Sequence, residues 1–162
     1  MRKFYPRMSL VIGLVAGGCA TETGESLKTT FDSGVTAYDA GDYAKAYQIW
    51  SSIDDDDLAA MRNVALMRRK GLGTPKDPKG AEEMYLRAAE GGLPTAQADL
   101  ADMLIKGEAG PPDPAHALPL LEAAAAANHP NAQYELAQLY EAGELVPKDM
   151  ARARTLYAAA AG

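Results

Sequence analysis

The sequence predicts an all-α chain, a right-handed solenoid of antiparallel helix pairs about four repeats long. Three observations predict it. Gly71, Gly107 and Gly143 stand 36 residues apart, and each closes a helix-like stretch. The same offset links Pro75, Pro111 and Pro147, then Asp77, Asp113 and Asp149, then Ala81, Ala117 and Ala153. Small residues (Ala65, Ala101, Ala137) recur beside bulky ones (Ile49, Met84, Leu120, Leu156, next to Trp50, Tyr85, Leu121, Tyr157) at helical spacing, and the aromatics among them are expected to be core, not a cofactor box. A fixed period between about 20 and 50 residues marks units that bury their apolar faces only by stacking on neighbours. Function then belongs to an extended surface.

The first elements lie outside the repeats. Arg2, Lys3 and Arg7 form a basic start, and residues 8–18 are an apolar stretch of 11 residues followed by small ones. That length suits a secretory signal and is short for a membrane span of about 20 residues. The stretch ends in Ala16-Gly17-Gly18-Cys19, which resembles a bacterial lipobox, with Ala16 where the pattern usually has Leu; Cys19 is the only cysteine. The resemblance implies cleavage before Cys19, acylation of it and, with Ala20 rather than Asp next, an anchor on the periplasmic face of the outer membrane. A free thiol, and ordinary signal-peptidase cleavage after Ala20 giving a soluble periplasmic or secreted protein, are the competing readings. A lone cysteine cannot form an internal disulfide in an oxidising compartment, which favours lipidation. Residues 1–18 are thus expected to be a signal, 19–26 a small polar tether and 27–162 the repeat domain. Losing Arg2, Lys3 and Arg7 leaves 13 of 16 basic side chains against 22 acidic ones, a net charge of −9. Such a balance excludes nucleic acid as a partner.

Four helix pairs are expected: 27–40 with 42–53, 58–70 with 78–90, 94–106 with 114–127, and 130–142 with 150–161. Gly107 fits the left-handed position after a helix, Asp113 caps the next, and Pro114 sits where a missing N–H costs nothing. His129 and Pro130 repeat the arrangement. Pro119 falls inside the sixth helix and is expected to kink or delay it, at about 3 kcal/mol in an ordinary interior.

These residues resemble the Sel1-like repeats, a tetratricopeptide-type family. Its pattern appears as Ala132, Leu136, Ala137, Tyr140 and Gly143, then Asp149, Arg152 and Ala153, then Tyr157, Ala160 and Ala161. Unit 2 shows Asp77, Ala81, Tyr85, Ala88 and Ala89. Unit 1 is shorter, with Gly34, Tyr38, Gly41-Asp42-Tyr43, Ala46 and Trp50. The resemblance implies that first helices line a concave face. Read onto this chain, the stripe is Asp32, Thr36 and Asp39, then Arg62, Leu66 and Arg69, then Ala98, Asp102 and Ile105, then Tyr134, Gln138 and Glu141. Arg62 and Arg69, with Arg68 and Lys70 adding charge, are expected to be a solvent-facing basic patch able to clamp a carboxylate of a protein partner.

Chemistry is sparse. No H-E-x-x-H, C-x-x-C, G-x-S-x-G or Walker loop occurs, and no cofactor or metal site is expected. His116 takes a solvent-facing position and His129 a cap. The Asp54 to Asp57 run reads as a loop in which Asp57 caps a helix, with calcium binding the open alternative. Some Sel1-like proteins are described as β-lactamases, but that subgroup carries cysteine pairs absent here, and Ser26 is followed two, not three, positions later by Lys28. The reading is a lipid-anchored scaffold for protein partners in the envelope, not an enzyme. The alternative is a factor binding envelope polysaccharide or peptidoglycan, for which Tyr134 is the sole clear aromatic platform. A third possibility is an oligomer formed through an open C-terminal face.

Overall fold

A computed structural model describes residues 24–162, which form eight helices and no strand. They are α1 (Gly24–Asp39), α2 (Tyr43–Ser51), α3 (Leu58–Lys70), α4 (Pro78–Glu90), α5 (Pro94–Lys106), α6 (Pro114–Ala126), α7 (Pro130–Ala142) and α8 (Met150–Ala160). Helices pair as α1/α2, α3/α4, α5/α6 and α7/α8, and the pairs stack through α2 on α3, α4 on α5 and α6 on α7. The signal segment and Cys19 lie outside the described residues.

The caps follow from the sequence. Asp42, Asp57, Asp77, Asp113 and Asp149 each accept a backbone N–H from the first turn of the helix they open, and His129 Nδ1 accepts one from Ala132. Each such cap contributes about 1 kcal/mol. Gly71, Gly107 and Gly143 adopt φ of 73°, 65° and 72°, the left-handed conformation that ends α3, α5 and α7. The loops then return by one repeated bond: Asp77, Asp113 and Asp149 N–H donate to the carbonyls of Arg68, Leu104 and Tyr140 at 2.8 to 2.9 Å. The 36-residue period is therefore a period of backbone hydrogen bonds.

Packing explains the small residues. Ala65, Ala101 and Ala137 have no exposed surface, nor do Tyr85 and Leu121. In unit 1, Trp50 lies so close over Gly34 that a Cβ there would sit 2.7 Å from the indole Cδ1. Trp50 Nε1 donates to the Phe31 carbonyl at 3.2 Å, which fixes the ring across α1.

Three expectations need correction. Residues 24–26, assigned to the tether, are the first turn of α1, where Glu25 complements the helix dipole and its carbonyl accepts the Thr29 hydroxyl. Pro119 does not delay α6, which starts at Pro114 and runs through it. The proline removes the bond to the Ala115 carbonyl, but its ring lies on the exposed side and the packed turns on either side hold the helix. Tyr157 is not core like Trp50 and Tyr85; it is half-buried, with its ring 5.4 Å from that of Tyr134.

Candidate functional site

The first helices of units 2 and 3 enclose a charged groove of about 610 Å³ between α3, α5 and the loops that follow them. Arg62, Leu66 and Arg69 come from α3, while Asp99, Asp102 and Lys106 come from α5. Lys70, Lys76 and Glu108 form its rim. Helical spacing of four and three puts each trio on one face.

The arginines are not free. Arg62 Nε donates to Asp99 Oδ2 at 2.5 Å. Arg69 makes a two-pronged pair with Glu108, at 2.8 Å from Nε and 2.5 Å from Nη2, and Nη2 also reaches Asp102 at 2.6 Å. Only 11% of the Arg69 side chain is exposed. The Glu108 bonds, working against burial and aided by Asp102, hold its guanidinium more firmly charged than usual. Burial tends to raise the Asp102 carboxyl, but Arg69 and Lys106 outweigh it and leave it below the ordinary range. Glu108 is lowered chiefly by its Arg69 bonds. Beneath this lattice lies the Tyr85 hydroxyl, buried and without a hydrogen-bond partner among the described residues. Its burial, with the nearby Asp99 charge, pushes it well above the usual tyrosine value.

The expected basic patch is therefore corrected. Arg62 and Arg69 are locked by carboxylates of the next unit, and Arg68 turns away, its Nε donating to the Tyr47 hydroxyl at 3.2 Å. The accessible positive charge of the groove belongs to Lys70 and Lys76, both exposed and in no ion pair among the described residues, with Lys106 held to Asp102 at 2.7 Å. Five cations against three carboxylates line the groove, a local excess in a chain of net charge −6. Sequence reasoning missed Asp99, Glu108 and Lys76. A signal existed, because acids 37, 33 and 39 residues beyond the arginines lie within three residues of one period.

The rest of the stripe is dispersed. Asp32, Thr36 and Asp39 are exposed on α1; Asp32 pairs with Lys28, and Thr36 lines a separate shallow hollow with α2. Ala98 is buried and Ile105 half-buried against the second core cluster. Tyr134, Gln138 and Glu141 are exposed on α7, where Glu141 accepts the Tyr157 hydroxyl at 2.6 Å and pushes that phenol up to about 12. Asp57 caps α3 and Asp55 bonds Arg87 at 2.8 Å, so two members of the acidic run already have partners.

A second crevice, of about 430 Å³, opens on the side of the second helices and is walled by Leu86, Leu100, Leu104, Pro119 and Leu120. One period later the same position is partly filled. Tyr140 stands where Leu104 was, and Arg152, in the place of His116, lies 4.7 Å over its ring. His116 instead turns to Asp113 at 2.5 Å.

Residues 58–93, 94–129 and 130–161 match the model of the Sel1 repeat in unbroken succession. The chain belongs to the Sel1 repeat family. Its fold is similar to a Sel1 repeat protein from Oxalobacter formigenes, with a TM-score of 0.76 and 32% identity over 81% of this chain and 54% of that one. It is also similar to c5321, a protective antigen present in uropathogenic Escherichia coli strains and displaying an SLR fold, at 0.74 and 27% over 83% and 30%. This chain thus spans about half the length of the first and less than a third of the second. No curated protein matches it. Sel1 repeats generally serve protein–protein interaction and are typically non-catalytic scaffolds. In these terms α3 to α8 are three Sel1 units, and α1 with α2 is a shorter helix pair stacked before them.

Proposed function

We propose that this Sel1 protein is a lipid-anchored scaffold of the bacterial cell envelope whose first-helix groove receives an acidic segment of a partner protein. The observation that carries the reading is the groove's charge, five cations against three carboxylates, with Lys70 and Lys76 at its rim in no ion pair among the described residues. The arginine pairs keep the floor rigid, so little ordering remains to oppose binding. Lys70 and Lys76 supply the attraction, and Leu66 an apolar seat. Anchoring rests on the basic start, the apolar stretch and Ala16-Gly17-Gly18-Cys19. More than one acyl chain is needed for stable attachment, and acylation on sulfur and amine supplies it.

Crosslinking in intact envelopes tests the groove. A photo-crosslinker at Leu66 is expected to capture a partner, and Lys70→Glu with Lys76→Glu is expected to abolish the capture. Capture unaffected by the double reversal overturns the groove reading. Mass spectrometry of the mature N-terminus tests the anchor: an acylated Cys19 is expected, and a soluble form beginning at Thr21 refutes it.

A further inference from the structure

The crevice beside the second helices recurs at each joint between units, and the chain fills it at two joints and leaves it open at one. Between units 1 and 2 the filler is Arg68 of α3. Its Nε donates to the Tyr47 hydroxyl of α2 at 3.2 Å, and its Nη1 lies 3.1 Å from where a Cβ on Gly80 would sit. Between units 3 and 4, Arg152 of α8 lies 4.7 Å over the ring of Tyr140 on α7, and the Tyr140 hydroxyl reaches Glu122 on α6 at 3.4 Å. At both joints an arginine is held against a tyrosine.

The joint between units 2 and 3 has neither residue. The 36-residue period puts Leu104 in the place of Arg68 and Tyr140, and His116 in the place of Gly80 and Arg152. What remains is the apolar crevice of about 430 Å³, within the ordinary range of binding pockets. Units 2 and 3 both stand in place around it, so the opening does not come from where the chain begins or ends. Leu86, on its wall, is exposed.

The charge at its rim has one sign. Glu82 of α4 and Asp113, the cap of α6, line it, and no lysine or arginine does. Glu82 is half-buried and in no ion pair among the described residues. Asp113 Oδ2 meets only His116 Nδ1, at 2.5 Å, on the exposed side.

We propose that this crevice docks a segment of a partner protein that presents an aromatic side chain next to an arginine, the pair that the chain itself supplies at the two neighbouring joints. The ring takes the walls formed by Leu86, Leu104, Pro119 and Leu120, where an aromatic gains most from leaving water. The guanidinium takes the Glu82 and Asp113 carboxylates, whose geometry its planar fork matches. The site is distinct from the charged groove and selects the opposite sign of charge.

The probe is the blocked dipeptide acetyl-tyrosyl-arginine amide, titrated into the isotope-labelled full chain and followed by amide chemical shifts. Saturable shifts are expected at residues 82–86, 104 and 116–120. Acetyl-tyrosyl-glutamate amide and acetyl-alanyl-arginine amide are expected to bind at least fivefold more weakly. Glu82→Gln is expected to weaken binding about two- to fivefold, the range of one partly exposed ion pair. Leu104→Tyr with His116→Arg, which writes the unit 4 pair into the crevice, is expected to abolish the shifts and leave Tm unchanged or higher. Shifts confined to other residues, equal binding of the glutamate dipeptide, or undiminished binding by the folded double variant overturns the proposal. So do nuclear Overhauser contacts from residues 1–23 to Leu86 in the probe-free chain, or crevice shifts that grow with protein concentration alone, which would make the chain itself or a second copy the occupant.

Discussion

Removing Arg69 should destabilise the solenoid in a way that depends on pH. In Arg69→Ala, Asp102 and Glu108, whose side chains are 26% and 30% exposed, face each other without the guanidinium that holds them. Breaking a fully buried pair costs about 3–5 kcal/mol. Here both carboxylates reach water and Lys106 stays beside Asp102, so about 2 kcal/mol is expected at pH 7. For a domain of this size that lowers Tm by roughly 6–10 °C. Asp102 and Glu108 are lowered in the folded protein, so their stabilisation is present above the ordinary carboxylate range and is lost as pH falls through the depressed values. The wild type should therefore lose stability below about pH 4 faster than the variant, and the gap between them should narrow. Thermal melts of both proteins at pH 7 and pH 3.5 measure this. Equal melting temperatures at pH 7, or an undiminished gap at pH 3.5, would refute the ion-lattice account.

Other expectations follow from single positions. Gly34→Ala forces a methyl into the Trp50 indole and should cost about 1–3 kcal/mol, with a change in Trp50 fluorescence. Ala101→Leu overfills a fully buried position and should cost a similar amount in urea melts, about 1–3 kcal/mol. Pro119→Ala restores a helical N–H on α6 and should raise Tm; an unchanged or lower Tm would mean the proline has already been accommodated. The Tyr157 phenol, pushed up to about 12 by Glu141, should ionise above the ordinary tyrosine range in an ultraviolet titration. Glu141→Gln should bring it down. The contact's stabilisation is present below the ordinary tyrosine value and is lost as pH rises through about 12.

The fold was legible because its determinants are local and recur. Asp113 before Pro114, Gly107 after Lys106 and the matching residues one period away set helix ends with caps and left-handed turns, which a linear chain displays directly. Ala65, Ala101 and Ala137 announced close packing by size alone. The groove was harder to read. Arg62 and Arg69 sit at outward helical positions, and helical spacing cannot show that α5 and the loop after it bring Asp99, Asp102 and Glu108 against them. Solvent-facing on an isolated helix is not solvent-facing in a stack. The same limit applied to Tyr157, whose sequence environment matches that of Tyr85 but which lacks a following helix among the described residues. Pro119 was misread because propensity describes a helix alone, whereas α6 is held by packing.

The ion lattice also makes the joints of this solenoid unlike one another. Between units 2 and 3 the first helices are tied by Arg62 to Asp99 and by Arg69 to Asp102 and Glu108. Between units 3 and 4 the corresponding arginine positions are Ala98 and Ile105, and among the described residues the gap is spanned by apolar packing, the Gln133 bond and a long contact from the Tyr140 hydroxyl to Glu122 at 3.4 Å, with no ion pair. Glu135, the counterpart of Asp99, is left half-buried, and burial with the Asp102 charge raises its carboxyl. Salt and acid loosen the first joint, whereas cooling weakens the second. The two joints thus answer to different conditions, and a partner lying across both would meet a change of ionic strength at the first joint alone.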